Sequence, residues 1–215
     1  MVSSASRLVA IYDRLYAFFG PQHWWPADSA FEVLVGAVLT QNTNWQNVKK
    51  AIDALRDTGL LSFEALHTLP ETQLATYIRA SGYYNLKARR LKNLLQMIAD
   101  NYAGQLELLF QEETPVARRQ LLSVKGVGPE TADSILLYGG EHALFVIDAY
   151  THRIFSRHQF FPEECDYQTM QELFMDCLPY DVLLFNEYHA LIVMTAKKFC
   201  KKKEGLCDLC PLNGM

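Results

Sequence analysis

Leu121–Gly139 reads LLSVKGVGPETADSILLYG. The end of one apolar helix runs into Gly126-Val127-Gly128, and Pro129 then opens a second helix. Proline suits the first helical turn, where its missing N–H removes no hydrogen bond. The two glycines permit a tight turn with positive φ, and they bare backbone N–H groups at the new helix N-terminus. That arrangement is an anion site suited to a phosphate. An ordinary corner between two helices would use the same glycines, so the turn alone leaves both readings open. Gly126, Gly128 and the adjacent Lys125 are the candidate phosphate contacts.

Helical periodicity extends in both directions from this turn. Leu8, Ile11, Tyr12, Leu15, Phe18 and Phe19 share one face, and Gly20-Pro21 stops the helix. Ser29 caps a second helix through Val38, and Asn44 a third that ends at Gly59. Leu91, Leu94, Leu95 and Ile98 form another apolar stripe. Thr114-Pro115 reads as a cap followed by a first turn. Asp166 caps a helix through Cys177, and Pro179 opens a long one through Phe199. No alternation of period two is sustained. Ala143–Ile147 is apolar enough for a strand but has no partner. The fold class is all-α.

The chain has 215 residues, half of them hydrophobic, enough for one large core or two small ones. Lysine and arginine total 20 against 24 acidic residues, a net charge of -4. This excludes a uniformly basic coat but not a single basic face. The longest apolar run, Val33–Leu39, is far too short to span a bilayer. With no leader-like segment, a cytoplasmic location is expected. The five cysteines, an odd number, then suggest metal ligation or simple burial in preference to a disulfide framework.

The hairpin resembles the helix-hairpin-helix of the endonuclease III superfamily of DNA glycosylases. That family places a catalytic aspartate a fixed distance beyond the hairpin. Val146-Ile147-Asp148-Ala149-Tyr150 stands at the matching place. The resemblance therefore makes Asp148 the catalytic carboxylate, although an aspartate there could equally be a plain helix cap. A carboxylate near C1′ would stabilise an oxocarbenium-like sugar and could orient or deprotonate water. Members that also cut the strand carry a lysine in the helix after the hairpin, whose amine forms a Schiff base. The matching residue is Glu130, which cannot form an imine, so a monofunctional enzyme using water is expected.

His23–Trp45, HWWPADSAFEVLVGAVLTQNTNW, contains all three tryptophans of the chain. Trp24-Trp25-Pro26, the segment GAVLTQNT and the segment SGYYNLKARRL (81–91) resemble the bacterial 3-methyladenine DNA glycosylases of the endonuclease III type. The resemblance runs from about residue 20 to about residue 190. It implies a base pocket lined by Trp24, Trp25, Pro26 and Trp45. It also implies that Gln41 fills the gap left in the base stack when the nucleotide is extruded. Core burial for the tryptophans, and an ordinary polar helix end for Gln41, are the simpler alternatives. N3- or N7-alkylation makes a purine cationic, and a desolvated cation over a tryptophan face gains about 0.5–2 kcal/mol. Lys87, Arg89, Arg90 and Lys92 fall on one helix and read as a solvated face. Lys197, Lys198 and Lys201–Lys203 form the strongest basic run.

Cys200, Cys207 and Cys210 follow a C-x6-C-x2-C spacing within that run. Endonuclease III relatives hold a [4Fe–4S] cluster with this spacing and a fourth cysteine five residues further on. Here the fourth position falls one beyond Met215. A structural cluster, a tetrahedral zinc and no metal at all remain open. Cys177 reads as buried on a helix.

The resulting expectation is a monomeric, two-lobed DNA glycosylase acting on damaged duplex DNA without a membrane partner. One lobe spans 29–142 and contains the hairpin at 121–139. The other combines 1–28 with 143–215 and carries the cysteine loop. The expected reaction is hydrolysis of the N-glycosidic bond of an alkylated purine such as 3-methyladenine. The alternatives are an oxidised or deaminated lesion, with or without a lyase step, or a non-catalytic DNA-binding module.

Overall fold

The computed structural model of the chain describes residues 3–215, which contain twelve α-helices, two 3-10 turns and no β-strand. The chain divides into two compact units, one built from residues up to Pro26 together with Ala143–Met215, the other from Ala27–His142.

In the Ala27–His142 unit, α2 (Ala30–Leu39) is the central element. Val33 through Leu39 are all buried, so this helix is apolar on every side. Ser29 caps it by accepting from Glu32 N at 3.1 Å, and both Glu32 carboxylate oxygens accept from Arg56 Nη2 at 2.8 Å. Around α2 lie α3 (Trp45–Asp57), α4 (Phe63–Thr68), α5 (Glu71–Tyr77), α6 (Tyr84–Tyr102), α7 (Leu106–Phe110), α8 (Thr114–Ser123) and α9 (Pro129–Gly140). α9 packs along α2, and α8 and α9 form the helical arms of the hairpin. Thr114 is the first residue of α8 and not its cap, because its hydroxyl is bonded to His142 Nδ1 at 2.8 Å.

Two cations of α6, Lys87 and Lys92, turn inward, which corrects the reading of a solvated face for them, while Arg89 stays exposed. Lys87 is 1% exposed, and its Nζ donates to Leu39 O at 2.8 Å and to Ser81 O at 2.7 Å. It thereby satisfies a carbonyl orphaned at the C-terminus of α2. Lys92 serves the end of α4 in the same way, donating to the carbonyls of Leu66, His67 and Leu69. Burial, with the charge of Arg90 adding to it, pushes the Lys87 amine down to about 8. The unfolded chain then binds more protons than the folded one between that value and the ordinary lysine range. Stability should therefore rise with pH across this window, by roughly 2–3 kcal/mol. Urea melts at pH 7.5 and 10 should show that gain in the wild type and not in Lys87→Met. An equal gain in the variant would refute the assignment.

The other unit comprises α1 (Ser4–Phe19), α10 (Ala149–Arg157), α11 (Tyr167–Cys177) and α12 (Val182–Lys198). Leu8, Ile11 and Leu15 of α1 are fully buried, and Tyr188 of α12 donates its hydroxyl to Leu8 O at 2.8 Å. Phe145, Phe155, Phe174 and Tyr188 form an aromatic centre, with Phe145 and Phe174 stacked at 4.0 Å. Asp181, and not Pro179, opens α12, because its carboxylate accepts from Leu184 N at 2.7 Å. Ala143–Ile147 is buried without being a strand. Side chains take the role of a neighbouring strand: Gln171 Nε2 donates to Phe145 O at 2.8 Å, and Ile147 N donates to the Tyr167 hydroxyl at 3.4 Å.

Candidate active site

Asp148 follows the buried segment 143–147 and caps α10. Its Oδ1 accepts from Tyr150 N at 2.9 Å, Thr151 N at 2.7 Å and the Thr151 hydroxyl at 2.9 Å. Its Oδ2 faces Nε2 of His189, on α12, at 3.5 Å. The Asp148 side chain is 11% exposed. Burial alone would raise the carboxyl, but the His189 imidazole and the Thr151 donors outweigh it and hold the group below the usual aspartate value. The carboxylate is thus charged at neutral pH and has one oxygen not used by the cap.

Lys197 lies two turns beyond His189 on α12. Burial lowers its amine and the charge of Asp148 raises it, with burial the larger effect. Its Nζ stands 5.9 Å from the centre of the Trp24 ring, and Trp24 meets Trp25 edge-on at 5.8 Å. Aspartate, histidine, lysine and tryptophan therefore share one region of this unit. Trp24 and Trp25 are half-buried and Pro26 is exposed. The role of His189 was not legible in the sequence, where it is a lone histidine in an apolar helix. Lys197 was legible only as one member of a basic run.

The hairpin and Gln41 belong to the other unit. Gly126 has φ +103°, and a Cβ there would lie 2.4 Å from Cγ of Arg90. Conformation and close approach both demand glycine at this position. Gly128 does not take the positive φ expected of it. It is extended, with φ -99° and ψ 177°, and caps α9. Nothing lies within 4 Å of where its Cβ would be, so the start of α9 is open to an approaching group. Lys125 is exposed beside it, and its carbonyl accepts from Asn93 Nδ2 at 3.0 Å. Gln41 Nε2 donates to Gly126 O at 3.1 Å and to the Thr131 hydroxyl at 2.9 Å, while Arg90 donates to Gln41 Oε1. Both ends of that amide are thus tied to the hairpin and to α6. Trp45 is the first residue of α3 and is half-buried. Glu130 sits in the first turn of α9, where a carboxylate complements the helix dipole.

Cys200, Cys207 and Cys210 line one cavity of about 210 Å³ with Arg157, His158 and Leu212. Arg157 Nη1 donates to Cys200 Sγ at 3.2 Å and to Lys201 O at 2.9 Å. Burial pushes the Cys210 thiol up, and the neighbouring Cys200 and Cys207 add to the effect. Among the described residues, no three His, Cys, Asp or Glu side chains gather as a single metal ion requires. Cys165 and Cys177 lie outside the cavity, and Cys177 is half-buried rather than buried. No helix among the described residues is long and apolar enough to cross a membrane.

The model of the HhH-GPD superfamily of base excision DNA repair proteins matches residues 35–179. A protein of Methanocaldococcus jannaschii, provisionally described as a DNA repair glycosylase, is 48% identical over 203 residues, covering 94% of this chain and 92% of that relative. The 3-methyladenine DNA glycosylase of Helicobacter pylori, solved with 1,N6-ethenoadenine bound, is 29% identical with a TM-score of 0.78, covering 91% of this chain and 98% of that one. An endonuclease III–DNA complex has a TM-score of 0.83 at 21% identity, covers 98% of this chain and 94% of that one, and shares the fold. The chain belongs to the HhH-GPD superfamily of base excision DNA repair proteins and is a DNA repair glycosylase.

Proposed function

We propose that the protein hydrolyses the N-glycosidic bond of alkylated purines, 3-methyladenine first among them, and leaves the DNA strand intact. The observation that carries this reading is Asp148, a charged carboxylate with one oxygen used by the cap and the other directed away from it. As the bond to the base breaks, its electron pair leaves with the purine nitrogen. The sugar becomes cationic at C1′, and Oδ2 of Asp148 stabilises that charge. Water then adds to C1′ and gives its proton to Oδ2 of Asp148, which passes it to solvent. An alkylated purine is a good leaving group, so the site needs no strong acid. The likeness to the H. pylori 3-methyladenine enzyme supports this substrate class.

Trp24, Trp25 and Pro26 would line the base pocket. Trp24 already accepts one cation, Lys197, near its ring. The α9 N-terminus, through Gly126 and Gly128, would grip a backbone phosphate together with Lys125, and Gln41 would fill the vacated stack. Cys200, Cys207 and Cys210 would hold a [4Fe–4S] cluster in the cavity that they line. The thiol set and the Arg157 donor to Cys200 fit such a group. Bound there, the cluster would stiffen the lysine-rich loop and take no part in bond cleavage.

A second reading has a specific observation behind it. Lys197 is an amine near Asp148 whose proton affinity is lowered by burial, as a Schiff-base nucleophile requires. The deciding measurement is base release from methylated duplex DNA, with strand scission followed in parallel. Free 3-methyladenine with strands cut only after alkali is the expected result. Direct cutting, abolished in Lys197→Gln, would establish the lyase reading. No release from methylated DNA, with release from an oxidised or deaminated lesion, would overturn the substrate assignment.

A further inference from the structure

Asp148 is held by two helices. Its own helix, α10, secures Oδ1 through three donors. Only Oδ2 is left to face the sugar, and a carboxylate fixed at one oxygen still rotates about that point. The second hold comes from α12, which packs against α10. His189 there places Nε2 3.5 Å from Oδ2. The His189 side chain is 7% exposed, so the imidazole is fixed by its surroundings. Its neighbour Tyr188 is locked by the bond to Leu8 O, which pins the register of α12 against α1. We propose that His189 is the positioning residue of Asp148, donating from Nε2 to fix the plane of the carboxylate whose Oδ2 faces C1′. This rests on the catalytic reading of Asp148 given above.

From α10 the group facing His189 is Asp148 itself, and Arg153 on that helix is engaged by Cys200 O at 2.8 Å. From α12, the charge of Lys197 reaches Asp148. From α1, Asp13 acts on Tyr188. A misplacement of about 1 Å at a reacting group costs on the order of 10²-fold in rate. Loss of the Nε2 donor should therefore slow the chemical step and leave binding alone.

The test compares His189→Gln with His189→Asn in single-turnover base release from methylated duplex DNA, alongside duplex affinity and melting temperature. The glutamine amide nitrogen can occupy the place of Nε2, whereas the asparagine amide is too short to reach it. The expected result is H189Q within about fivefold of the wild-type rate and H189N slower by on the order of 10²-fold, with both binding duplex as the wild type does. Equal rates in the two variants would overturn the proposal and return His189 to packing. Should H189N fail to melt cooperatively, H189Q carries the test, and a rate as low as that of Asp148→Asn in a folded H189Q would also overturn it. Wild-type turnover in Asp148→Asn would instead remove the catalytic reading of the aspartate, so the two failures are distinguishable.

Discussion

Asp148→Asn is expected to lose base release by at least about 10³-fold, or about 4 kcal/mol of transition-state stabilisation, with duplex binding intact. The size follows from what the substitution removes. The negative charge proposed to face C1′ disappears, and an amide cannot replace it. The fold should survive, because asparagine is as good a helix cap as aspartate and can accept the same backbone donors of Tyr150 and Thr151. Because the native carboxyl lies below the usual value, its contribution to stability is present above about pH 4 and lost as pH falls through the native value. The asparagine variant should lack that acid-side loss. Single-turnover release and acid melts check the two halves separately, and retained turnover would end the catalytic assignment.

Trp24→Ala is expected to lower release of 3-methyladenine by about 10–100-fold, while release of a neutral lesion, where detectable, falls less. Base stacking on an aromatic ring contributes about 1–3 kcal/mol, and a cationic base adds an attraction to the ring face. The ring also serves Lys197 and touches Trp25, so its loss alters the surroundings of Asp148 on that side. The check is the ratio of release rates for alkylated and neutral purines in the variant and the wild type. An unchanged ratio in a folded variant would assign Trp24 to packing.

The helices that sequence reveals best are those whose ends carry their own chemistry. Ser29, Asn44 and Asp166 each accept the backbone donor that their side-chain type implies. Pro179 misleads because proline suits a first turn wherever one begins, whereas Asp181 has the oxygen that α12 needs. The inward course of Lys87 and Lys92 is hidden for another reason. Each is engaged by at least one distant carbonyl, Leu39 O for Lys87 and Leu69 O for Lys92, and nothing local distinguishes a cation that caps a distant helix from one that faces water. The hairpin turn and the Asp148 cap were legible because each is a local motif. His189 was not, since its meaning depends on α10 and α12 lying side by side.

The discontinuous unit has a consequence for the growing chain. Residues 27–142 are contiguous, so that unit can complete its contacts as it leaves the ribosome. The first helix has no such opportunity. Leu8 waits for Tyr188, 180 residues later, to receive its hydrogen bond. Closing so long a loop costs only slightly more entropy than closing a shorter one, because the penalty grows with the logarithm of length. The cost falls on time instead: the apolar stripe of Leu8, Ile11 and Leu15 stays uncovered through most of synthesis. Newly made chains are thus exposed to aggregation at α1, and slowed translation of residues 143–215 would lengthen that interval.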